Sequence, residues 1–179
     1  MELTNKADTN FHCLKVVHVD DKRDDVANNS EDGSTHNSTF QRISSKIDVI
    51  RVATLAEVDV TDYHVIGVDE AHFYPDLLTT VRDWVENGKH VRVVGLDGDY
   101  KMEKFGNILD LIPLADAAEK VSATCLVCLK ELKDNQYKGN IFAITGGFTR
   151  KIVDDNGNQK DVGGADKYMP VCRYHHANH

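Results

Sequence analysis

The chain has 179 residues, enough for one domain, or one domain with a small appendage, and for a sizeable buried core. A hydrophobic fraction of 41% and a charged fraction of 28% are ordinary for a globular protein. The formal net charge of −8 argues against non-specific nucleic-acid binding, which needs a basic surface; nucleotides stay open, because metals and backbone amides handle phosphates. No apolar run approaches membrane-spanning length, and the polar start Met1-Glu-Leu-Thr-Asn-Lys is no signal peptide. Four cysteines, two of them three positions apart, suit a reduced compartment and a metal site better than a disulfide framework. The chain reads as intracellular and cytoplasmic, with no membrane and no nucleic acid among its partners.

Phe11 to Val19 predicts the first strand, with Cys13 as an inert core thiol. It runs into Asp20-Asp-Lys-Arg-Asp-Asp25 and a polar tract through Ser38, too poor in apolar residues to pack, so a mobile loop is expected there. Lys46 to Ala53 predicts a second strand whose alternation slips by one residue midway. Thr54 to Asp62 is a short connection with room for one helical turn.

The next stretch organises the rest. Val65 to Val68 is an apolar, β-branched run, as expected of a strand buried on both faces in a parallel sheet. It stops at Asp69 and Glu70, then continues as Ala-His-Phe-Tyr-Pro75. Carboxylates just past such a strand stand at the carboxyl edge of the sheet, where open α/β folds place their ligands. Asp69 could hold a magnesium ion and Glu70 could take a proton from a hydroxyl nucleophile. For a lone Asp-Glu pair, a solvated turn is the plainer reading; later stretches of the chain change that balance.

Leu77, Leu78, Val81, Trp84 and Val85 recur at helical spacing, and Asn87-Gly88 marks the end of that helix. His90 to Gly95 is the next strand, followed by Leu96-Asp-Gly-Asp-Tyr100. Strand, helix and strand with short links predict a parallel sheet. Gly106 to Lys120 is a weaker helical region, expected to break at Pro113. From Thr124 the texture changes to a section with little regular core, in which Asn156-Gly157 reads as a hairpin tip. The expected division is an α/β domain over residues 1–122 and a smaller domain over 123–179.

Cys125-Leu-Val-Cys128 has the spacing of a zinc knuckle, and Cys172-Arg-Tyr-His175 repeats it. Three thiolates and an imidazole suit tetrahedral zinc with no position left for chemistry, hence a structural ion. His176 and His179 compete with His175 for the fourth place.

Taken together, Val65 to Pro75, Gly95-Leu-Asp-Gly-Asp-Tyr100 with Phe105-Gly106 and Ile112-Pro-Leu-Ala115, the two knuckles, and Gly163-Gly-Ala-Asp-Lys-Tyr168 resemble the motifs of type II thymidine kinases, over about His12 to His175. The resemblance implies a P-loop-NTPase-like (RecA-like), mostly parallel α/β sheet with a small zinc-binding domain, whose lasso loop closes over the nucleoside. It implies ATP-dependent phosphorylation of the thymidine 5′-hydroxyl, and a homotetramer. By the same resemblance Asp69 acts on the magnesium ion that accompanies ATP, and Glu70 is the general base. Phe73, Leu96, Tyr100, Phe105, Val162, Gly163, Gly164 and Tyr168 correspond to the nucleoside-binding residues, and the zinc ligands to Cys125, Cys128, Cys172 and His175. Asp21 and Arg23 resemble an Asp-x-Arg of the family, with a solvated charge run as the equal alternative. Thr149 resembles a threonine near the pyrimidine.

The chain departs from the family in two places. Extra residues around Lys133 to Ala143 loosen the register there. The family's first strand and Gly-x-x-x-x-Gly-Lys-Ser/Thr phosphate loop have no counterpart in these residues, so the expected sheet lacks that strand and that loop. Alternative readings are a non-catalytic, nucleoside-binding or oligomerising relative and, in a different class, a zinc-knuckle interaction module on an unrelated α/β domain.

Overall fold

The computed structural model describes residues 11–21, 47–139, 144–153 and 163–178. The polar tract after Asp21, Arg23, the Asn156-Gly157 turn, Val162 and His179 lie outside the described residues. The chain divides into two compact units, Met1–Gly95 and Leu96–His179.

The first unit is built on four parallel strands: β1 (Cys13–His18), β2 (Ile47–Val52), β3 (Val65–Val68) and β4 (His90–Val93), in the order β2-β1-β3-β4. The two inner strands carry the core, with Leu14, Val16, Val17, Ile66 and Val68 buried. The outer strands are more open, and Val49 of β2 is 56% exposed where the alternation slips. Cys13 is half-buried rather than packed in the core, because it opens β1 next to exposed Phe11 and His12.

Helix α1 (Leu77–Glu86) connects β3 to β4 and packs against β4. Its buried positions, Leu77, Val81 and Trp84, follow the four- and three-residue spacing of one helical face, whereas Val85 lies outside that stripe and is 48% exposed. Asn87 caps the helix, its side chain donating to the Asp83 carbonyl at 2.8 Å, and Gly88 follows in the left-handed region at φ 79°. Leu55–Glu57 forms one 3-10 turn in the connection before β3.

In the second unit, Ile108–Leu114 is a continuous 3-10 helix that holds Pro113 near its end, so the expected break does not occur. The tighter i→i+3 pattern and the position close to the terminus absorb the missing amide. After it come β5 (Ala123–Thr124), helix α2 (Leu126–Lys133), β6 (Thr145–Gly146), β7 (Phe148–Lys151), β8 (Tyr168–Val171) and helix α3 (Arg173–Ala177). β5 pairs antiparallel with β6, and β7 antiparallel with β8. More regular structure is present than the texture of the sequence implies; Phe105 and Leu111 are buried, and around the knuckles a small cluster of Cys125, Cys128 and Val171 is flanked by Val127, Tyr137, Ile144, Phe148 and Met169. Among the described residues no helix is long and apolar enough to cross a membrane.

Candidate functional site

Within the first unit the chemistry collects at the carboxyl end of β3. The Asp69 amide still donates to the Val16 carbonyl at 2.9 Å, extending the strand pairing by one residue. The next residue, Glu70, turns into the left-handed region at φ 48° and ψ 42°, a conformation that costs an L-residue about 1–2 kcal/mol. This strained step ends the strand and starts the 3-10 turn Ala71–Phe73, which the Ala71 amide anchors to the Val94 carbonyl at 2.9 Å. Both carboxylates therefore stand just past the apolar run Val65–Val68, at the sheet's carboxyl edge.

Neither carboxylate is idle. Asp69 Oδ1 accepts from the Glu70 amide at 3.0 Å, and Oδ2 lies 3.1 Å from Lys15 Nζ. Lys15 is opposite Gly67 in the β1–β3 register, so its side chain shares a face with Asp69 two residues on. Glu70 Oε2 lies 3.3 Å from His72 Nε2. Phe73 packs between two imidazoles, with ring centroids 5.3 Å from His18 and 4.2 Å from His72. Burial pushes the Tyr74 phenol well above its ordinary value, and the negative charge of Asp69 adds to the shift. Asp21 is buried, and its carbonyl accepts from Arg51 at 2.5 Å, so it is more than a solvated charge.

In the second unit, the buried side chain of Asp99 accepts from the amides of Lys101 and Glu103 at 2.8 and 2.9 Å. This turn presents Tyr100, whose ring lies 6.4 Å from that of Tyr168 and 5.2 Å from both Lys101 Nζ and Lys151 Nζ. Two of the predicted nucleoside residues are thus brought together, and Gly163 and Gly164 lead into Tyr168. The Gly164 carbonyl accepts from both Lys167 and Tyr168 amides at 3.0 Å, closing a turn. Phe105 is buried and Leu96 is 43% exposed. Thr149 is in β7, paired with Pro170.

The most complete constellation is the metal-ligating one. Cys125, Cys128, Cys172 and His175 bring their donor atoms within 4.8 Å of one another, a group that could hold a metal ion. The two knuckles use one device. Cys125 is the N-cap of α2 and its sulfur accepts from the Cys128 amide at 3.5 Å; Cys172 is the N-cap of α3 and its sulfur accepts from the His175 amide at 3.5 Å. The helical first turn then brings the fourth residue of each motif back beside the first. His175 supplies Nδ1, at 3.5, 3.3 and 3.4 Å from the sulfurs of Cys125, Cys128 and Cys172. His176 does not compete: its Nε2 donates to the Tyr100 carbonyl at 2.8 Å.

Burial opposes ionisation of Cys125, but hydrogen bonds from the Cys128 and Cys172 backbone and from His175 outweigh it and lower the thiol to about 6. Burial, reinforced by the neighbouring sulfurs, raises Cys128 to about 12. Three sulfurs this close cannot all ionise unless a cation joins them.

The thymidine kinase family model matches residues 2–176. The chain belongs to the thymidine kinase family. It is 38% identical to a thymidine kinase of Oryza sativa over 149 residues, 79% of this chain and 48% of that protein. It is 32% identical to the thymidine kinase of Fowlpox virus over 170 residues, 92% of this chain and 80% of that protein. With the cytosolic thymidine kinase of Bos taurus it shares 32% identity over 169 residues, 91% of this chain and 58% of the relative. The chain thus spans about half the length of the rice and bovine thymidine kinases and most of the fowlpox one.

Four residues around these sites carried no usable signal in the sequence: Lys15, His72, Glu131 and Gly146. Glu131 Oε1 lies 3.1 Å from His175 Nε2. Gly146 lies in β6, paired antiparallel with β5, and a Cβ there would meet Cys125 N and Thr124 C at 2.9 Å.

Proposed function

We propose that the protein is a thymidine kinase, transferring the γ-phosphoryl group of ATP to the 5′-hydroxyl of thymidine. The observation that carries this reading is the Asp69–Glu70 pair at the carboxyl edge of a parallel sheet, in a chain of this family. Glu70 accepts the proton of the attacking hydroxyl. Asp69 contributes an oxygen to the magnesium ion that accompanies ATP; carboxylate oxygen is the donor such a hard cation takes. Magnesium neutralises charge on the transferring phosphates. Phe73, Leu96, Tyr100, Phe105, Val162, Gly163, Gly164 and Tyr168 receive the nucleoside, with flat rings stacking on the pyrimidine.

The cluster of Cys125, Cys128, Cys172 and His175 holds structural zinc. Tetrahedral zinc with bonds of about 2.3 Å to sulfur and about 2.0–2.1 Å to nitrogen sets S···S near about 3.8 Å and S···N near about 3.5 Å. The cluster has 3.8 Å between Cys128 and Cys172 sulfurs and 3.3–3.5 Å from the imidazole to the three sulfurs. All four places are filled by protein, so the ion is not a catalytic one. A cytoplasmic homotetramer completes the reading.

The experiment is ATP- and magnesium-dependent conversion of thymidine to thymidine monophosphate by the protein and by its Glu70→Gln variant. In any active form of the protein, Glu70→Gln is expected to lower turnover by roughly 10²–10⁴. Thymidine binding without turnover would instead favour a non-catalytic relative.

A further inference from the structure

We propose that His72 is a positioning residue for Glu70, holding one carboxylate oxygen so that the base meets the substrate hydroxyl in a single orientation. The inference rests on the reading of Glu70 as general base. His72 Nε2 lies 3.3 Å from Glu70 Oε2, and the His72 side chain is 1% exposed against 17% for Glu70. The pair is within ion-pair range, and because an ionised carboxylate only accepts, a proton on Nε2 is the one that would face it.

The backbone makes this contact. Residues two apart do not face each other on a helix. Here Glu70 adopts the left-handed conformation and the Phe73 amide returns to the Glu70 carbonyl at 3.0 Å, so the 3-10 turn folds the His72 imidazole back onto the carboxylate. A left-handed glutamate is a cost to the fold, and such strain is retained where a side chain must be aimed. The imidazole is itself held: its ring packs against Phe73 at a centroid distance of 4.2 Å, inclined by 51°. Buried and packed, the ring is a fixed donor, not one of several solvent-exchanged partners.

A carboxylate on a flexible two-carbon stem samples several rotamers, and a base is useful only within hydrogen-bond reach of the proton it removes. Fixing Oε2 removes that search before substrate arrives, which is a contribution to orientation and not to binding. A histidine that merely fills the core would leave turnover untouched when replaced by another ring of similar volume.

The test compares His72→Phe, His72→Gln and His72→Asn, each alone and with Glu70→Gln, in the active protein, reading kcat, KM for thymidine and the thermal midpoint. The Phe ring keeps the packing and loses the donor; Gln reaches the same oxygen with an amide N–H; Asn is too short to reach. Expected is a fall in kcat of about 10- to 10²-fold for Phe and Asn with KM nearly unchanged, recovery of most of that loss in Gln, and no further loss when Phe is added to Glu70→Gln. Should His72→Phe fail to fold, the contrast between Gln and Asn carries the same decision. Equal kcat in all three variants, or a His72→Phe loss that persists in the Glu70→Gln background, overturns the inference alone. An unchanged rate for Glu70→Gln by itself overturns the base assignment, and this inference with it.

Discussion

Glu131 holds the metal-site imidazole from behind: its Oε1 lies 3.1 Å from Nε2 of His175, while Nδ1 of the same ring faces the three sulfurs. A histidine that ligates through Nδ1 must keep its proton on Nε2, and the carboxylate both selects that tautomer and raises the basicity of the ligating nitrogen. Glu131 sits on α2, whose N-cap is Cys125, so both knuckles are tied through one ring. Glu131→Ala should weaken metal affinity by about 10- to 10²-fold, measured by competition with a chromogenic chelator, with Glu131→Gln in between. Equal affinity in all three proteins would remove Glu131 from the site.

Removal of the metal should unfold much of the second unit. Among the described residues the buried cluster around β5–β8 is little more than Cys125, Cys128 and Val171 with a half-buried rim, too small to hold those strands without the cross-link. In such units the binding free energy is largely folding free energy. Chelation is expected to release about one zinc ion per chain and to abolish amide protection in β7 and β8, while β1 and β3 stay protected. Four freely titrating thiols in the folded, untreated protein would contradict this.

Gly146→Ala should damage the same unit through a different route. The added carbon would sit 2.9 Å from two backbone atoms of Thr124 and Cys125, and neither can rotate away as a side chain would. The β5–β6 pairing must open or Cys125 must shift, at a cost of about 1–3 kcal/mol. A lowered thermal midpoint and lowered metal affinity together are the expected outcome; Gly147→Ala, where the nearest contact is a serine hydroxyl at 3.5 Å, is the mild control.

Lys15 and magnesium are read as rivals for Asp69. With Nζ at 3.1 Å from Oδ2, the ammonium occupies the oxygen a divalent cation would take. Lys15→Met should lower the magnesium concentration for half-maximal phosphorylation, and Asp69→Asn should raise it. Titrating magnesium in the kinase assay at fixed ATP measures both; shifts of the opposite sign would show that Lys15 helps to bind the nucleotide phosphates.

Thymidine should protect the backbone from Gly163 to Tyr168 against hydrogen exchange. The turn there is closed by two amides on one carbonyl and is partly exposed, so its opening is cheap and ligand contact should suppress it. Absence of protection in the metal-loaded protein at saturating thymidine would move the lasso assignment elsewhere.

Local patterns in the chain already specified much of this. Apolar alternation and β-branching located β1 to β4, because those signals depend only on which residues a strand or helix face must bury. The spacing of Leu77, Val81 and Trp84 located α1 for the same reason, and a separation of two residues between ligands is itself the geometry of a helical first turn. What remained hidden were distances between residues that the fold, not the spacing, brings together. His175 and His176 are chemically identical, and only the direction of α3 sends one imidazole to the sulfurs and the other to the Tyr100 carbonyl. Lys15 meets Asp69 because β1 and β3 pair with residue 15 opposite residue 67, a register no local pattern records. His72 reaches Glu70 through a left-handed turn that a sequence of ordinary L-residues does not announce, and Gly146 is required by the close antiparallel approach of β6 to Thr124 and Cys125. Periodicity carries the identity of buried faces; the partners of polar side chains are decided by register, turn geometry and strand approach, which exist only once the core has formed.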